Sequence, residues 1–587
     1  MTIEDRVQGF VNSLDQGAGL AVMRVAFFLL FSISVCSLYA WRQFHGLRDA
    51  EAMECAQLAR NVSQGHGFVT QCLRPSDLRG ASAASALPLT DLRHAPLYPA
   101  LLAGGFRALR LFGTSSGPGA MARAEARVIL PLGILATVVT GGLVFLCGRR
   151  LFGPGVGLYA MVMFFLSETV LARAASGTAM PLAVSLAMGA VWAAVVASQN
   201  LSENRATGLW VLPFFILSAV LAGCAFLTAY TLGTLAVALA LYLAFATPQW
   251  RWTRAALFIF IALLIAAPWL WRNAVLAGNP LGAAPQAALT GTFVFPGDAF
   301  ARSLAPDWNS YKVAFALRLK LRAGLANIAA SPVQSLGAGL MACFFFASFF
   351  GRFDREEADR LRWPLALWIA LLLFLAAIGS AAAQSVTAPA MPLMILFGAA
   401  FMVATLERTE FLEDSVRAFA VWSGVALAAL PAVLGIAGPH APGPYLPYYP
   451  PYIEAVSRVL GPSETLCTDI PWATAWYGNR TSLLLPRTLP ELLSIHTNRL
   501  RLGGIYLTTE TSNRPYAGDL LEGAERDWLP LLNGEIPAGF PFRFGFTLPP
   551  GRRDEVFLTD RSGRLPAMEK EMSAAAPAPA PAAVDPR

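Results

Sequence analysis

Asp49, Glu51 and Glu54 open a short polar stretch just after the first long apolar run, and Arg60-Asn61 and Gly65-His66-Gly67 close it. If a helix starts near Ala50, then Glu51, Glu54, Gln57 and Asn61 recur every three or four residues and share one stripe. Ala52, Cys55, Ala56, Ala59 and Val62 cover the other side. Such a helix could rest on a bilayer with its carboxylates facing an aqueous cleft. A carboxylate there can take a proton from a substrate hydroxyl, which is general-base chemistry. Asp49 falls at the N-cap position, where a carboxylate can accept backbone N–H bonds. The plainer reading is a solvated helix whose N-terminal carboxylates suit the helix dipole.

Other residues could join that chemistry. Three of the five histidines, His45, His66 and His94, lie in this one loop with Arg74. Clustered histidines suit acid–base work or phosphate contacts. Arg272-Asn273 ends the run Ala267-Pro268-Trp269-Leu270-Trp271, where an Arg beside two Trp is ordinary interfacial anchoring. Its guanidinium would also match phosphate oxygens bidentately. No metal site is expected: a divalent ion held by His and carboxylates has no ligand spacing to support it. The seven cysteines show no CxxC spacing. Cys36, Cys147, Cys224 and Cys343 lie in apolar runs and read as packing residues. Cys55 and Cys72 share the first loop and could pair if it faces an oxidising compartment.

The elements that must position these residues are membrane spans. The chain is 56% hydrophobic and only 14% charged, against about a quarter charged in soluble domains, and its mean hydropathy is +0.52. Apolar runs near 20–41, 127–148, 153–172, 178–197, 209–227, 229–247, 255–272, 333–350, 364–383, 388–405 and 418–437 read as about eleven transmembrane helices. The first 19 residues lack a basic n-region and a cleavage site, so the first run is expected to stay as an anchor. A net charge of +7 in a soluble chain would raise nucleic acid as a partner. Here much of the basic excess sits in short links between apolar runs, which points to the bilayer and away from nucleic acid. With the N-terminus cytoplasmic, every inner link carries at least one Arg. The loop 42–126, the loop 273–332 and everything after 438 then lie outside.

Residues 1–437 are thus expected to form the membrane domain. Within the first loop, the run Ala100–Phe112 reads as a helix in the interface. In the loop 273–332, Lys312, Arg318, Lys320 and Arg322 form a basic amphipathic stretch. After a Pro-rich linker, 438–451, residues 452–566 alternate helix-like and strand-like segments. Strands are predicted at Thr465–Ile470, Ser482–Leu485, Gly504–Leu507 and Glu555–Leu558, and helices at Ile453–Leu460 and Leu489–Ile495. That is a small outer α/β domain, long enough to fold alone. The Ala/Pro-rich tail, 567–587, is expected to be disordered.

Four segments carry a resemblance. Glu51-Ala52-Met53-Glu54-Cys55-Ala56-Gln57-Leu58-Ala59-Arg60-Asn61 with Gly65-His66-Gly67-Phe68 is the first, and Pro96-Leu97-Tyr98-Pro99 is the second. Arg127 with Gly148-Arg149-Arg150-Leu151-Phe152-Gly153 is the third, and Ala267-Pro268-Trp269 with Arg272-Asn273 is the fourth. Together, over roughly 20–405, the chain resembles the C-type glycosyltransferase superfamily. It is similar to bacterial membrane proteins of the protein O-mannosyltransferase kind and to the aminoarabinose transferase of lipid A. The family's first-loop aspartate falls on Glu51, with Asp49 two residues earlier, and its usual tyrosine is Cys55. Met180 stands near the place of an acidic residue, and Gln384-Ser385 stand where an Arg is common before the Pro389 and Pro392 pair.

The resemblance implies transfer of a sugar from a polyprenyl-phosphate carrier to an acceptor hydroxyl on a lipid, glycan or protein, with inversion at the anomeric carbon. It implies an enzyme of the bacterial inner membrane working on the periplasmic side. No cofactor is expected, a divalent metal being the alternative. Phosphate is already a good leaving group, so the donor side needs cations more than a protonating acid. Glu51, with Asp49 second, is the expected base. Arg60, Arg74, His94 and Arg272 are candidates to hold the phosphate or orient the base. The competing class is a transporter or flippase of lipid-linked sugars, which would more often show internal repeats or polar residues at mid-membrane depth.

Overall fold

The computed structural model describes residues 18–79, 89–112, 119–202, 211–246, 250–408, 414–438, 449–512, 521, 523, 525–532, 535–537, 539–548 and 555–575. Each of the eleven apolar runs is helical, but they are not eleven equal spans. Among the described residues, seven helices are long and apolar enough to cross a membrane, beginning with Val22–Gln43 and ending with Ser415–Ala437. The pair Pro154–Phe165 and Glu168–Ala174, bent by 62°, makes eight if it is counted as one broken span and seven if it is a re-entrant loop. The runs at 209–227, 229–247 and 333–350 give shorter apolar helices, Val211–Phe226, Tyr230–Ala244 and Leu340–Phe350. With so many membrane-length helices, the chain is an integral membrane protein. Small residues let the bundle close: a Cβ on Gly148 would stand 2.6 Å from the Gly157 backbone, so the two neighbouring helices touch there.

Beyond the helical bundle, the part here called the outer unit after its expected location is built around a six-stranded sheet. Its strands are β2 (Cys72–Leu73), β4 (Thr465–Thr468), β5 (Ser482–Leu484), β6 (Leu502–Leu507), β7 (Phe544–Leu548) and β8 (Glu555–Thr559), in spatial order β2-β5-β4-β6-β8-β7. The β2, β5, β4 and β6 strands run parallel, and β8 and β7 add antiparallel at the far edge. A separate two-stranded ribbon pairs β1 (Val69–Thr70) with β3 (Leu89–Thr90).

The sheet revises the expected boundaries. It is not made from 452–566 alone, because edge strand β2 comes from the first loop, with Cys72 opposite Ser482. Its helical cover begins at Pro450, inside the expected linker, and ends with Arg564–Ala575, inside the expected disordered tail. That last helix forms because Met568 and Met572, four apart, both bury against the helix Pro450–Val459. Linker residues 439–448 and tail residues 576–587 lie outside the described residues.

The first-loop helix, Ala50–Ser63, is also revised. It does not lie on a bilayer with one face in water. Every residue from Ala52 to Asn61 is buried. On one side it packs against Leu97–Ala108, through Tyr98, Leu102 and Phe106, and on another against Pro471–Tyr477 of the outer unit. The Gly-His-Gly turn stops it as read: Gly65 and Gly67 take φ of +87° and +79°, values open to glycine and strained for other residues.

Candidate active site

The carboxylates at the start of the loop helix differ sharply in environment. Glu54 is buried and fully engaged. Arg74 Nη2 donates to its Oε1 at 2.6 Å, and His94 Nε2 lies 3.2 Å from its Oε2. Burial alone would raise the Glu54 pKa; Arg74 and then His94 reverse this and draw it down to about 2. Glu51, three residues earlier, stays open to solvent. Enough protein still surrounds its carboxyl that desolvation raises its pKa. His94 opposes the rise, and Asp49 and Glu54 add to it.

Asp49 holds the N-cap backbone position, but its side chain makes no cap bond, contrary to the expected role. Its carboxyl is exposed, raised by desolvation and held back by the nearby Arg173 charge. Among the described residues, neither Asp49 nor Glu51 has a side-chain hydrogen-bond partner. A raised pKa and an unengaged carboxylate are what a base needs.

His94 lies at the centre of the charge cluster. Asp91 Oδ1 is 3.1 Å from Nδ1, Asp91 Oδ2 accepts from the His94 backbone N–H, and Glu54 takes Nε2. Burial pulls its pKa down, but Asp91 and Glu54 outweigh burial and lift it to about 10. The ring is therefore an imidazolium at neutral pH, with both N–H groups engaged. It can put charge near Glu51, but it has no free N–H for a phosphate.

Arg272 joins the same cluster from the end of its span. Its Nη2 donates to the Asp91 carbonyl at 3.2 Å, and its guanidinium stacks 4.1 Å over the Trp269 ring. Trp269 is fixed in turn by its Nε1–H bond to the Tyr230 hydroxyl at 2.9 Å and by edge contact with Phe68. Tyr230 donates to the His94 carbonyl. Arg74 keeps a half-buried guanidinium, bonded to Glu54.

Arg60 is elsewhere. It is fully buried, and its donors go to the Ala475 and Trp476 carbonyls at 2.7 and 2.9 Å and to Gln71 Oε1 at 2.6 Å. That arrangement does not serve the expected phosphate contact. Burial without a carboxylate partner draws its pKa down to about 9. On the stripe, Gln57 and Asn61 also face protein: they fasten the strand after the turn through the Gln71 N–H, Thr70 Oγ1 and the Val69 carbonyl.

Of the expected residues, Arg74, His94 and Arg272 thus belong to one network through Glu54 and Asp91, Glu51 lies within electrostatic reach of His94 with Asp49 beside it, and Arg60 faces away. Sequence reasoning did not single out three further residues. Asp91 stands three residues before His94 in a turn, a spacing that could have signalled the pair. Arg173 comes from the broken span and donates to the Gln384 carbonyl at 2.9 Å, so its place beside Asp49 depends on a bend that composition does not reveal. Glu125, at the start of the second long span, accepts from Trp476 Nε1 at 2.8 Å and so ties the outer unit to the membrane part. His45 and His66 are exposed and apart from the cluster. Cys55 and Cys72, which could have paired, are both buried free thiols. Among the described residues, no group of three or more His, Cys, Asp or Glu could hold a metal ion.

Comparison with known proteins bears on this arrangement. Residues 120–271 match the family described as dolichyl-phosphate-mannose-protein mannosyltransferase. No curated protein sequence matches significantly. Among solved structures, ArnT from Cupriavidus metallidurans bound to undecaprenyl phosphate superimposes with a TM-score of 0.53 at 12% identity, covering 93% of this chain and 99% of that one. The Archaeoglobus fulgidus oligosaccharyltransferase in complex with Zn and sulfate gives a TM-score of 0.57 at 12% identity, covering 85% and 70%. The same oligosaccharyltransferase tethered to an acceptor peptide gives 0.55 at 10% identity, covering 92% and 74%. At such identities these likenesses show a common fold.

Proposed function

We infer that this chain, which has the fold of the C-type glycosyltransferases and a mannosyltransferase-type segment over residues 120–271, is a membrane glycosyltransferase. It moves a sugar from a polyprenyl-phosphate carrier to an acceptor hydroxyl. The acceptor oxygen attacks the anomeric carbon as the bond to the carrier phosphate breaks, so configuration inverts. The hydroxyl proton passes to Glu51, and polyprenyl phosphate leaves as the anion. Arg74 and Arg272 face the departing phosphate. His94, held as an imidazolium, keeps enough of Glu51 ionised for it to accept the proton. Asp49, with Arg173 beside it, is the second candidate for base.

The observation that carries this reading is the contrast between Glu51 and Glu54. They are three residues apart on one helix. Glu54 is locked between Arg74 and His94. Glu51 is solvent-accessible, has no hydrogen-bond partner among the described residues and has a raised pKa. A carboxylate kept unengaged beside a cationic cluster suits a reaction that needs one base and an electrostatic cradle for a leaving anion.

We place the site on the periplasmic face of a bacterial inner membrane, with the N-terminus cytoplasmic, because Arg marks each inner link. Purified full-length protein given a polyprenyl-phosphate-linked sugar and an extract of envelope acceptors should release free polyprenyl phosphate and glycosylate the extract. If a panel of such donors is bound but never turned over in the presence of acceptor extract, the assignment fails.

A further inference from the structure

A second recess lies away from the carboxylate cluster, between the loop 273–332 and the outer sheet. It encloses about 560 Å³, within the usual range for small-ligand pockets. None of the proposed catalytic or phosphate-binding residues lines it. Phe293, Asp307, Asn309 and Lys312 come from the loop, Arg487 from the turn after β5, and Glu491 from the first turn of the helix Leu489–Asn498. The walls are fixed by bonds that cross between the two segments. Glu491 Oε1 accepts from Ser303 Oγ at 3.0 Å and from the Leu304 N–H at 3.1 Å, and the Arg487 N–H donates to the Arg302 carbonyl at 3.0 Å. Arg302 is itself buried against Glu525 at 2.6 Å.

Within those fixed walls, polar groups remain without partners. Glu491 Oε2 and Arg487 Nε are both buried with no hydrogen-bond partner. Among the described residues, Asp307 and Lys312 carry no ion pair. Buried polar atoms of this kind are few in native proteins and call for an explanation. Two unpaired cations, two carboxylates, an amide and an exposed aromatic ring around one recess match a sugar chain that carries carboxylates. Hydroxyls would donate to Asp307, the anionic groups would meet Lys312 and the Arg487 guanidinium, and a pyranose face would cover Phe293. A peptide fits less well. No lining residue belongs to a strand, so an extended chain would find no edge to pair with.

The recess is also joined to the carboxylate cluster through one short segment. Arg74 binds Glu54 at one end of it, and Arg79 Nη2 donates to the Phe300 and Ser303 carbonyls at 2.9 and 3.2 Å at the other.

We propose that this recess, walled by Arg487, Glu491, Asp307 and Lys312, is the acceptor subsite and takes an acidic oligosaccharide headgroup. The proposal rests on the glycosyltransferase reading for the name acceptor, but its binding test does not. Detergent-solubilised full-length protein is titrated by calorimetry with trigalacturonate, with the neutral trisaccharide maltotriose and with a tri-aspartate peptide. Trigalacturonate should bind at least about five-fold tighter than either of the others. Arg487→Ala and Lys312→Ala should each weaken it by on the order of ten-fold, the loss of one charge-assisted contact. Lys312 is exposed at a helix start, so its variant is expected to fold normally, and Glu51→Gln should bind trigalacturonate as the parent does. Absence of trigalacturonate binding, equal or tighter binding of the peptide, or indifference to both variants overturns the proposal. If trigalacturonate fails to bind while Glu51→Gln abolishes sugar transfer, the subsite is wrong and the enzyme reading stands. If it binds as expected while the protein turns over no lipid-linked donor, the subsite stands as an acidic-saccharide site and the enzyme reading falls.

Discussion

Arg60 donates through Nη1 to the Trp476 carbonyl at 2.9 Å, joining the loop helix to a helix more than four hundred residues later. The neighbouring Ala475 carbonyl is held by the same guanidinium. The Trp476 ring is stacked with Phe106 and fixed by Glu125. The helix that carries Glu51 is therefore positioned from the sheet-bearing unit as well as from the membrane helices.

Arg60→Ala should destabilise the outer unit by about 1–3 kcal/mol for each buried carbonyl left without a donor. Ending the chain near Pro439 should go further, because it removes β5, the sheet partner of β2 among the described residues, and the helix that buries Arg60. The expected outcome is loss of transfer activity, together with new protease cleavage in residues 50–79 of the membrane-inserted protein. A truncated protein that keeps both activity and protection of that loop would show that the outer unit is dispensable.

His94 supplies a test by pH. Its charge lies near Glu51 and lowers a pKa that desolvation raises. As a base, Glu51 must be ionised, so the transfer rate should climb with pH through an apparent pKa above the ordinary glutamate value of 4.5. Removing the imidazolium charge in His94→Gln raises that pKa further, and the acid limb of kcat should shift to higher pH. A role for His94 in packing alone would lower the plateau and leave the limb in place.

Arg272 should act on the donor. It is held over Trp269 at the membrane end of the cluster, and Arg272→Ala removes one charge-assisted contact. Binding of undecaprenyl phosphate should weaken about ten-fold, while Arg60→Lys, which faces away from the cluster, should leave it unchanged. Equal affinity for Arg272→Ala and the parent would remove Arg272 from the phosphate site.

The local features of this fold were legible in the sequence, and the long-range ones were not. The loop helix, its Gly-His-Gly stop and four of the outer strands follow from short-range pattern and turn chemistry. The parallel pairing of β2 with β5 joins Cys72 to Ser482 across four hundred residues, and two residues of strand leave no periodic signal to read. Residue type singled out Glu51, Asp49, Arg74, His94 and Arg272 as candidates, and the fold brings them near one another. It also offered Arg60, which the fold turns away, because residue type cannot show which segment will cover a side chain. Helix Ala50–Ser63 is buried on nearly every side, so its polar stripe satisfies neighbouring backbone as well as facing a cleft.

The central claim is that Glu51 takes the acceptor proton, and the direct measurement is single-turnover sugar transfer by Glu51→Gln beside Asp49→Asn. Glutamine keeps the size of the side chain and cannot accept the proton, so the rate should fall about 10²–10⁴-fold with donor binding retained. Asp49→Asn should cost less, since Asp49 makes no cap bond and only its charge beside Arg173 is removed. Full activity in Glu51→Gln with an inactive Asp49→Asn would move the base two residues back. Full activity in both would contradict the account, because no carboxylate of this loop would then be activating the hydroxyl.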